Sequence, residues 1–320
     1  MKKNIKLAVA VLATVFCVDA ARTKASIYLN VGRETRVAPL DGSGPVEIII
    51  PTSHDPNGID VDLVNGKIYY GNGTDGIWQA DLDGSNAMQI VTVPGISAHG
   101  VAVDVDGGKV YWTNTSVPGY VASANLDGTD FVKLAEFTGN TQGLGIELDP
   151  AGGKVYWSTI FSGNDGVWSA NLDGSDPTVI TTDATSSIDD IALDLVNGKI
   201  YWSNFLDIRM TNLDGSGGTT IVADGFTWIP SIDVDPVGGH LYYSGTGSDF
   251  TGRVGRMNLD GSGHSVLYSG AADVGIIPYG LSVATVIPEP ATLTLLLFGI
   301  VGLRRRRRSV NRQANDRLEA

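Results

Sequence analysis

The chain has 320 residues, with 41 Gly, 13 Pro, 42% hydrophobic and only 18% charged residues. That glycine load without matching proline argues against a collagen-like or disordered chain and for short strands joined by tight turns. One Cys excludes a disulfide scaffold or a Cys-based metal site, and a net charge of −13 argues against a nucleic-acid partner.

Residues 1–25 read as a secretory signal peptide. Lys2, Lys3 and Lys6 form the positive start, and a twelve-residue apolar run from Leu7 to Val18 follows. Small-residue cleavage sites follow at Val18-Asp19-Ala20 and Thr23-Lys24-Ala25, and either cut removes Cys17 with the leader.

From residue 26 to 287 one unit is written six times. Leu-Asp-Gly begins at Leu40, Leu82, Leu126, Leu172, Leu213 and Leu259, and a Tyr that usually has an aromatic after it recurs at Tyr28, Tyr69, Tyr111, Tyr156, Tyr201 and Tyr242. Residues 62–69 are repeated letter for letter at 194–201. Each unit of about 44 residues holds four strand-length pieces. In the third full copy these are 145–149, 154–158, 167–172 and 178–180. Asn65-Gly66, Gly107-Gly108, Gly152-Gly153, Asn197-Gly198 and Gly238-Gly239 join the first two pieces, and are expected to form two-residue hairpins with positive φ. A four-stranded antiparallel unit cannot bury both faces alone, so the fold expected is an all-β six-bladed propeller. The core opens on a second strand at Ile27-Tyr28-Leu29 and ends on a lone first strand at 280–283, so a composite blade from both termini closes the ring.

Tyr111-Trp112-Thr113-Asn114, Tyr156-Trp157-Ser158-Thr159 and Tyr201-Trp202-Ser203-Asn204, with the Asn-Leu-Asp-Gly turns, resemble the YWTD repeats of low-density-lipoprotein-receptor class B propellers. The resemblance covers residues 26–286. No copy keeps the Asp at the fourth position of that motif, where Asn72, Asn114, Asn204, Thr159, Gly245 and Val31 stand instead. It implies the fold, and not a receptor's ligand specificity.

Turns joining strands one to two and three to four are short and near-identical, whereas the other loops vary, so the variable end is the candidate binding face. Asn57, His99, Leu144, Asp189, Pro230 and Tyr279 lead into the first strands there. Trp228 and Tyr279 stand outside the repeated aromatic positions, and with Asn57, His99 and Asp189 they are the candidate ligand contacts. One step further in, Asp60, Glu147 and Asp233 alternate with Ala102, Ala192 and Ser282. Three hard oxygen donors around an axis suit Ca²⁺. Equally, they can line a watery channel or accept hydrogen bonds from neighbouring blades. Asp62, Asp104, Asp149, Asp194 and Asp235, like the Leu-Asp-Gly aspartates, read as turn caps.

At the C-terminus, Pro288-Glu289-Pro290 leads into a thirteen-residue apolar run from Ala291 to Leu303, then Arg304, Arg305, Arg306, Arg307 and Arg308, with a polar tail at 309–320. Residues 288–308 resemble the PEP-CTERM sorting signal of Gram-negative bacteria. The resemblance implies recognition by a membrane exosortase, transient inner-membrane association and delivery to the cell surface or extracellular matrix.

No Gly-x-Ser-x-Gly elbow or His-Glu-x-x-His pair is present. The leading expectation is therefore a non-catalytic module that binds a surface protein or an exopolysaccharide. Two alternatives stay open: a lactonase-like hydrolase with Asp60, Glu147, Asp233 and His99 around an ion, and a surface spacer with no ligand. Residues 26–287 hold ten of the basic and 31 of the acidic residues, a net of −21.

Overall fold

A computed structural model describes residues 25–51, 56–93, 95–161, 165–182, 187–205, 207–222, 226–270 and 278–285. The chain divides into two units, Met1–Thr285 and Val286–Ala320. Residues 1–24 of the leader, the sorting segment at 288–308 and the tail at 309–320 lie outside the described residues.

The described residues form six four-stranded antiparallel sheets. β1 (Ser26–Val31), β2 (Glu34–Pro39) and β3 (Glu47–Pro51) open the chain. Blade one is β4 (Ile59–Asp62), β5 (Lys67–Gly71), β6 (Ile77–Asp81) and β7 (Met88–Val91). Blade two is β8 (Ala98–Asp104), β9 (Lys109–Asn114), β10 (Tyr120–Asn125) and β11 (Val132–Glu136). Blade three is β12 (Gln142–Asp149), β13 (Lys154–Ile160), β14 (Gly166–Asn171) and β15 (Thr178–Thr182). Blade four is β16 (Ile188–Asp194), β17 (Lys199–Asn204), β18 (Asp207–Asn212) and β19 (Thr219–Val222). Blade five is β20 (Phe226–Asp235), β21 (His240–Gly247), β22 (Gly252–Asn258) and β23 (Ser265–Ser269). The last strand, β24 (Pro278–Ala284), pairs with β1, so the sheet β24-β1-β2-β3 is the composite blade expected from the split repeat.

Burial follows position in the blade. The second strands are buried on both faces, as β9 and β17 show, because neighbouring blades cover each side. The outer strands β11 and β15 are half exposed. The repeated tyrosines join blade to blade. Tyr69 packs with Val101, Val110 and Trp112 of blade two, and Tyr111 with Ile146, Val155 and Trp157 of blade three. Tyr242 packs with Ile27, Leu29 and Leu281 of the composite blade, and Tyr28 returns the chain of contacts to Ile59 and Ile68 of blade one. Each such buried side chain contributes on the order of 2–3 kcal/mol.

The joins between first and second strands differ from the expected two-residue hairpins. Asp62 pairs with Lys67, Asp104 with Lys109 and Asp149 with Lys154, leaving four-residue loops. Only the second residue of each pair has positive φ, as at Gly66, Gly108 and Gly153. The physical reason is the capping Asp. Its Oδ1 accepts the amide three residues on, at Asn65, Gly107, Gly152, Asn197 and Gly238 (2.7–2.9 Å), which holds a wider turn than two residues allow. The Leu-Asp-Gly aspartates are turn residues as expected, with Asp83, Asp173 and Asp260 each accepting the amide two residues on at 2.9 Å.

Candidate binding face at the propeller axis

The inner strands break register at the variable end. Between Ala98 and Val101, Gly143 and Ile146, Ile188 and Asp190, Trp228 and Ser231, and on the composite blade beside Asn30, a bulge inserts an unmatched residue. Such bulges re-aim side chains. The residues so placed include His99, Leu144, Asp189, Pro230 and Tyr279, and together they line one axial cavity of about 30 Å³, room for one or two waters. Five of the six residues expected at the mouth are thus brought together. Asn57 stands beside the cavity, its Nδ2 donating to the Ala98 carbonyl (3.2 Å) and its own carbonyl accepting from Asn30 (2.8 Å).

Below the bulges the inner strands come very close. A Cβ on Gly58 would lie 2.5 Å from the His99 carbonyl, on Gly100 2.3 Å from that of Leu144, and on Gly280 2.1 Å from that of Asn57. Glycine is required there by the neighbouring backbone. Blades four and five break this pattern with Asp190 and Ser231. Asp190 Oδ2 accepts from Ser231 Oγ (2.7 Å) and Ile232 N (3.1 Å), and Ser231 Oγ accepts from Leu281 N (3.0 Å). Polar side chains thus link blades four, five and six in sequence.

Asp60, Glu147 and Asp233 sit opposite Tyr69, Tyr156 and Tyr242, one layer deeper. Two of them are committed to backbone. Asp60 bridges Val61 N and Val103 N of the next blade, and Asp233 bridges Val234 N and Val283 N, all at 2.7 Å. Among the described residues no group of three or more His, Cys, Asp or Glu is spaced to hold a metal ion. Glu147 differs, lining the axial cavity within range of the charges on Asp233, Asp60 and Asp190.

Burial dominates the protonation of this set. Desolvation, opposed by hydrogen bonds, raises Asp60 to about 6, and Asp190 and Asp233 to about 7. Glu147 is pushed well up by desolvation and then by its three carboxylate neighbours. His99 is pulled down to about 4 by burial, against a hydrogen bond to Leu144, and is neutral at physiological pH.

At the rim, Trp228 Nε1 donates to Asp189 Oδ2 (2.8 Å). The Trp228 ring stacks on Phe205 (centroids 6.1 Å, 23°) and meets Tyr279 edge-on (5.5 Å, 74°). Phe205 is 55% and Tyr279 37% exposed, so three successive blades present one aromatic cluster to solvent. Asp189 is raised to about 6, chiefly by burial, while its bond from Trp228 opposes the shift. The sequence reading missed Phe205, Asp190 and Ser231. The last two were detectable, because they occupy the layer that is glycine in the other four blades.

No family model matches the chain, and no curated protein matches its sequence. Solved structures do. A nidogen/laminin complex is similar with TM-score 0.70 and 18% identity, over 82% of this chain and 98% of that one. TolB from Acinetobacter baumannii gives 0.64 and 12%, over 85% and 70%. A proposed 6-phosphogluconolactonase from Bacteroides fragilis gives 0.56 and 10%, over 83% and 99%. The likeness is one of fold: the protein is a six-bladed β-propeller with an aromatic and acidic mouth on its axis.

The raised carboxyls set a pH dependence. A carboxyl whose folded pKa exceeds its unfolded value of about 4 contributes stability that is complete below that value. This contribution is lost as pH rises through the folded value, here about 6 to 7 for Asp60, Asp190 and Asp233. Thermal unfolding midpoints are therefore expected to rise as pH is lowered from 8 towards ~5. Glu147→Gln, which fixes the neutral form, should raise the midpoint at pH 8 and flatten the profile. A midpoint that falls steadily over this range contradicts the assignment.

Proposed function

We propose that this protein is an exported propeller that acts at the cell surface or in the extracellular matrix as a non-catalytic binding module, engaging its partner through the axial face. The observation that carries the reading is the Phe205–Trp228–Tyr279 cluster on the end with variable loops, in which Phe205 and Tyr279 are exposed, Tyr279 lines the axial cavity and Trp228 is held by its hydrogen bond to Asp189. Exposed aromatics with one polar anchor are the usual core of a recognition patch. The six Tyr motifs, each packed into the next blade, support kinship with the YWTD class. That one structural neighbour comes from a nidogen/laminin complex fits a binding role.

A lactonase-like hydrolase, the kind of activity the Bacteroides neighbour's description names, would draw on Asp60, Glu147, Asp233 and His99. Those groups are poorly disposed for ion chemistry: Asp60 and Asp233 are spent on inter-blade amides, and desolvation favours their neutral forms. Binding is the better supported reading.

Pull-down of the full chain with surface proteins and exopolysaccharide from the producing cell should recover a partner. Phe205→Ala and Tyr279→Ala should each weaken its capture about ten-fold while leaving the melting temperature within a few degrees. Capture unaffected by both changes would leave the spacer alternative standing. For export, replacing Arg304 to Arg308 with uncharged residues should make uncleaved protein accumulate in the inner membrane, as an exosortase substrate requires. Unchanged processing, followed by immunoblot of cell fractions, would remove the sorting claim.

A further inference from the structure

We propose that the short-turn end of the propeller rests on a lipid bilayer of uncharged headgroups, through an apolar arc made by Val64, Val196 and Val237. The inference rests on the sorting-segment reading above and adds the surface that a tethered propeller turns to the membrane.

Where the chain leaves the ring is the first argument. In the composite blade β1 is a second strand and β24 a first strand, and Ser26 pairs with Ala284. One therefore starts and the other stops at the end where such strands are joined in the other blades. Five residues, Val286 to Pro290, separate Thr285 from the apolar run that begins at Ala291. Fully extended, that link spans about 20 Å. An apolar run seated in a bilayer holds the short-turn end beside it and leaves the axial mouth at the far end, open to a partner.

The surface at that end is the second argument. In the loops joining first to second strands, the residue two after the capping Asp is Val64 on blade one, Val196 on blade four and Val237 on blade five. They are 76%, 71% and 83% exposed, with Leu195 beside Val196 also exposed. Valine is not a residue that a turn demands. Blades five and one adjoin the composite blade and blade four adjoins five, whereas blades two and three, across the ring, carry Asp106 and Ala151 at this position. The capping Asp62, Asp194 and Asp235 are buried, so these three tips present no carboxylate. Single exposed apolar side chains are ordinary, but a repeated position on the side where the chain leaves makes a patch. Its contact is small, and a short tether raises the local concentration enough for a weak contact to form.

Charge selects the lipid. Asp83, Asp214 and Asp260 stand on the outer turns of the same end, where hydrogen bonds from Ser keep them ionised. They repel anionic headgroups, and salt screens that repulsion.

Removal of the leader takes Cys17 with it, so a single cysteine can be placed at will. The exported chain, its C-terminal segment intact, is prepared as Val237→Cys and, for the variable end, as Phe250→Cys, two positions that are equally exposed. Each carries an environment-sensitive fluorophore and is reconstituted by detergent removal with phosphatidylcholine vesicles containing nitroxide-labelled lipid. Flotation measures attachment. The label at 237 should shift to the blue and be quenched several-fold more than the label at 250. Adding phosphatidylglycerol should lower that quenching at low salt and not at high salt. Val64→Asp with Val196→Asp should bring the two labels to equal quenching, with attachment and melting temperature unchanged. Equal quenching at 237 and 250 in attached, unsubstituted chains overturns the proposal and leaves the membrane association standing. A blue shift at 237 without vesicles assigns the arc to a second copy of the chain and also overturns it. Chains that do not float remove both the membrane association and the role of the arc.

Discussion

The closeness of six inner strands around one axis governs the rest of this molecule. At Gly58, Gly100 and Gly280 the backbone of the next blade stands where a side chain would begin. That crowding leaves two solutions for each blade: omit the side chain, or make it a link. Asp190 and Ser231 take the second course, each reaching a neighbouring strand or side chain. The same approach makes the bulges useful, since an unmatched residue at the rim can turn its side chain towards the axis instead of into a blade. His99, Asp189 and Tyr279 line the mouth for that reason.

The acids separate into two populations that a net charge cannot distinguish. Turn aspartates such as Asp83, Asp173 and Asp260 accept local Ser and backbone donors in solvent, and hydrogen bonding lowers their pKa values. Their chemistry closes hairpins. Axial carboxyls are desolvated by the inner strands and raised, and three of them tie one blade to the next. Only the second population bears on the binding face, where Glu147, Asp189 and Asp190 line the axial cavity.

Much of the fold was legible because repetition carries it. The Tyr and Leu-Asp-Gly spacings located every blade, and the orphan strand at 280–283 revealed the closure that β24 and β1 make. The loop type between first and second strands was not legible from Asn-Gly and Gly-Gly pairs alone. Asp62 and its equivalents decide it by capping three residues ahead, which widens the turn. The mouth was half legible. Its residues follow from alignment of the repeats, but the Trp228–Asp189 bond and the stacking of Phe205 depend on register shifts and on loops outside the repeat. No periodicity encodes those. Asp60 and Asp233 show the limit most plainly: their number and symmetry suit an ion, while their actual partners are amides of the next blade.

The most direct test of the axial constraint compares Gly100→Ala with Gly218→Ala by urea unfolding. A methyl at Gly100 meets the Leu144 carbonyl at 2.3 Å, whereas at Gly218 the nearest atom, the Met210 carbonyl oxygen, is 3.9 Å away. The account predicts a loss of about 1–3 kcal/mol or more for Gly100→Ala, from overpacking against fixed backbone, and little change for Gly218→Ala. Equal, small effects at both positions would contradict it.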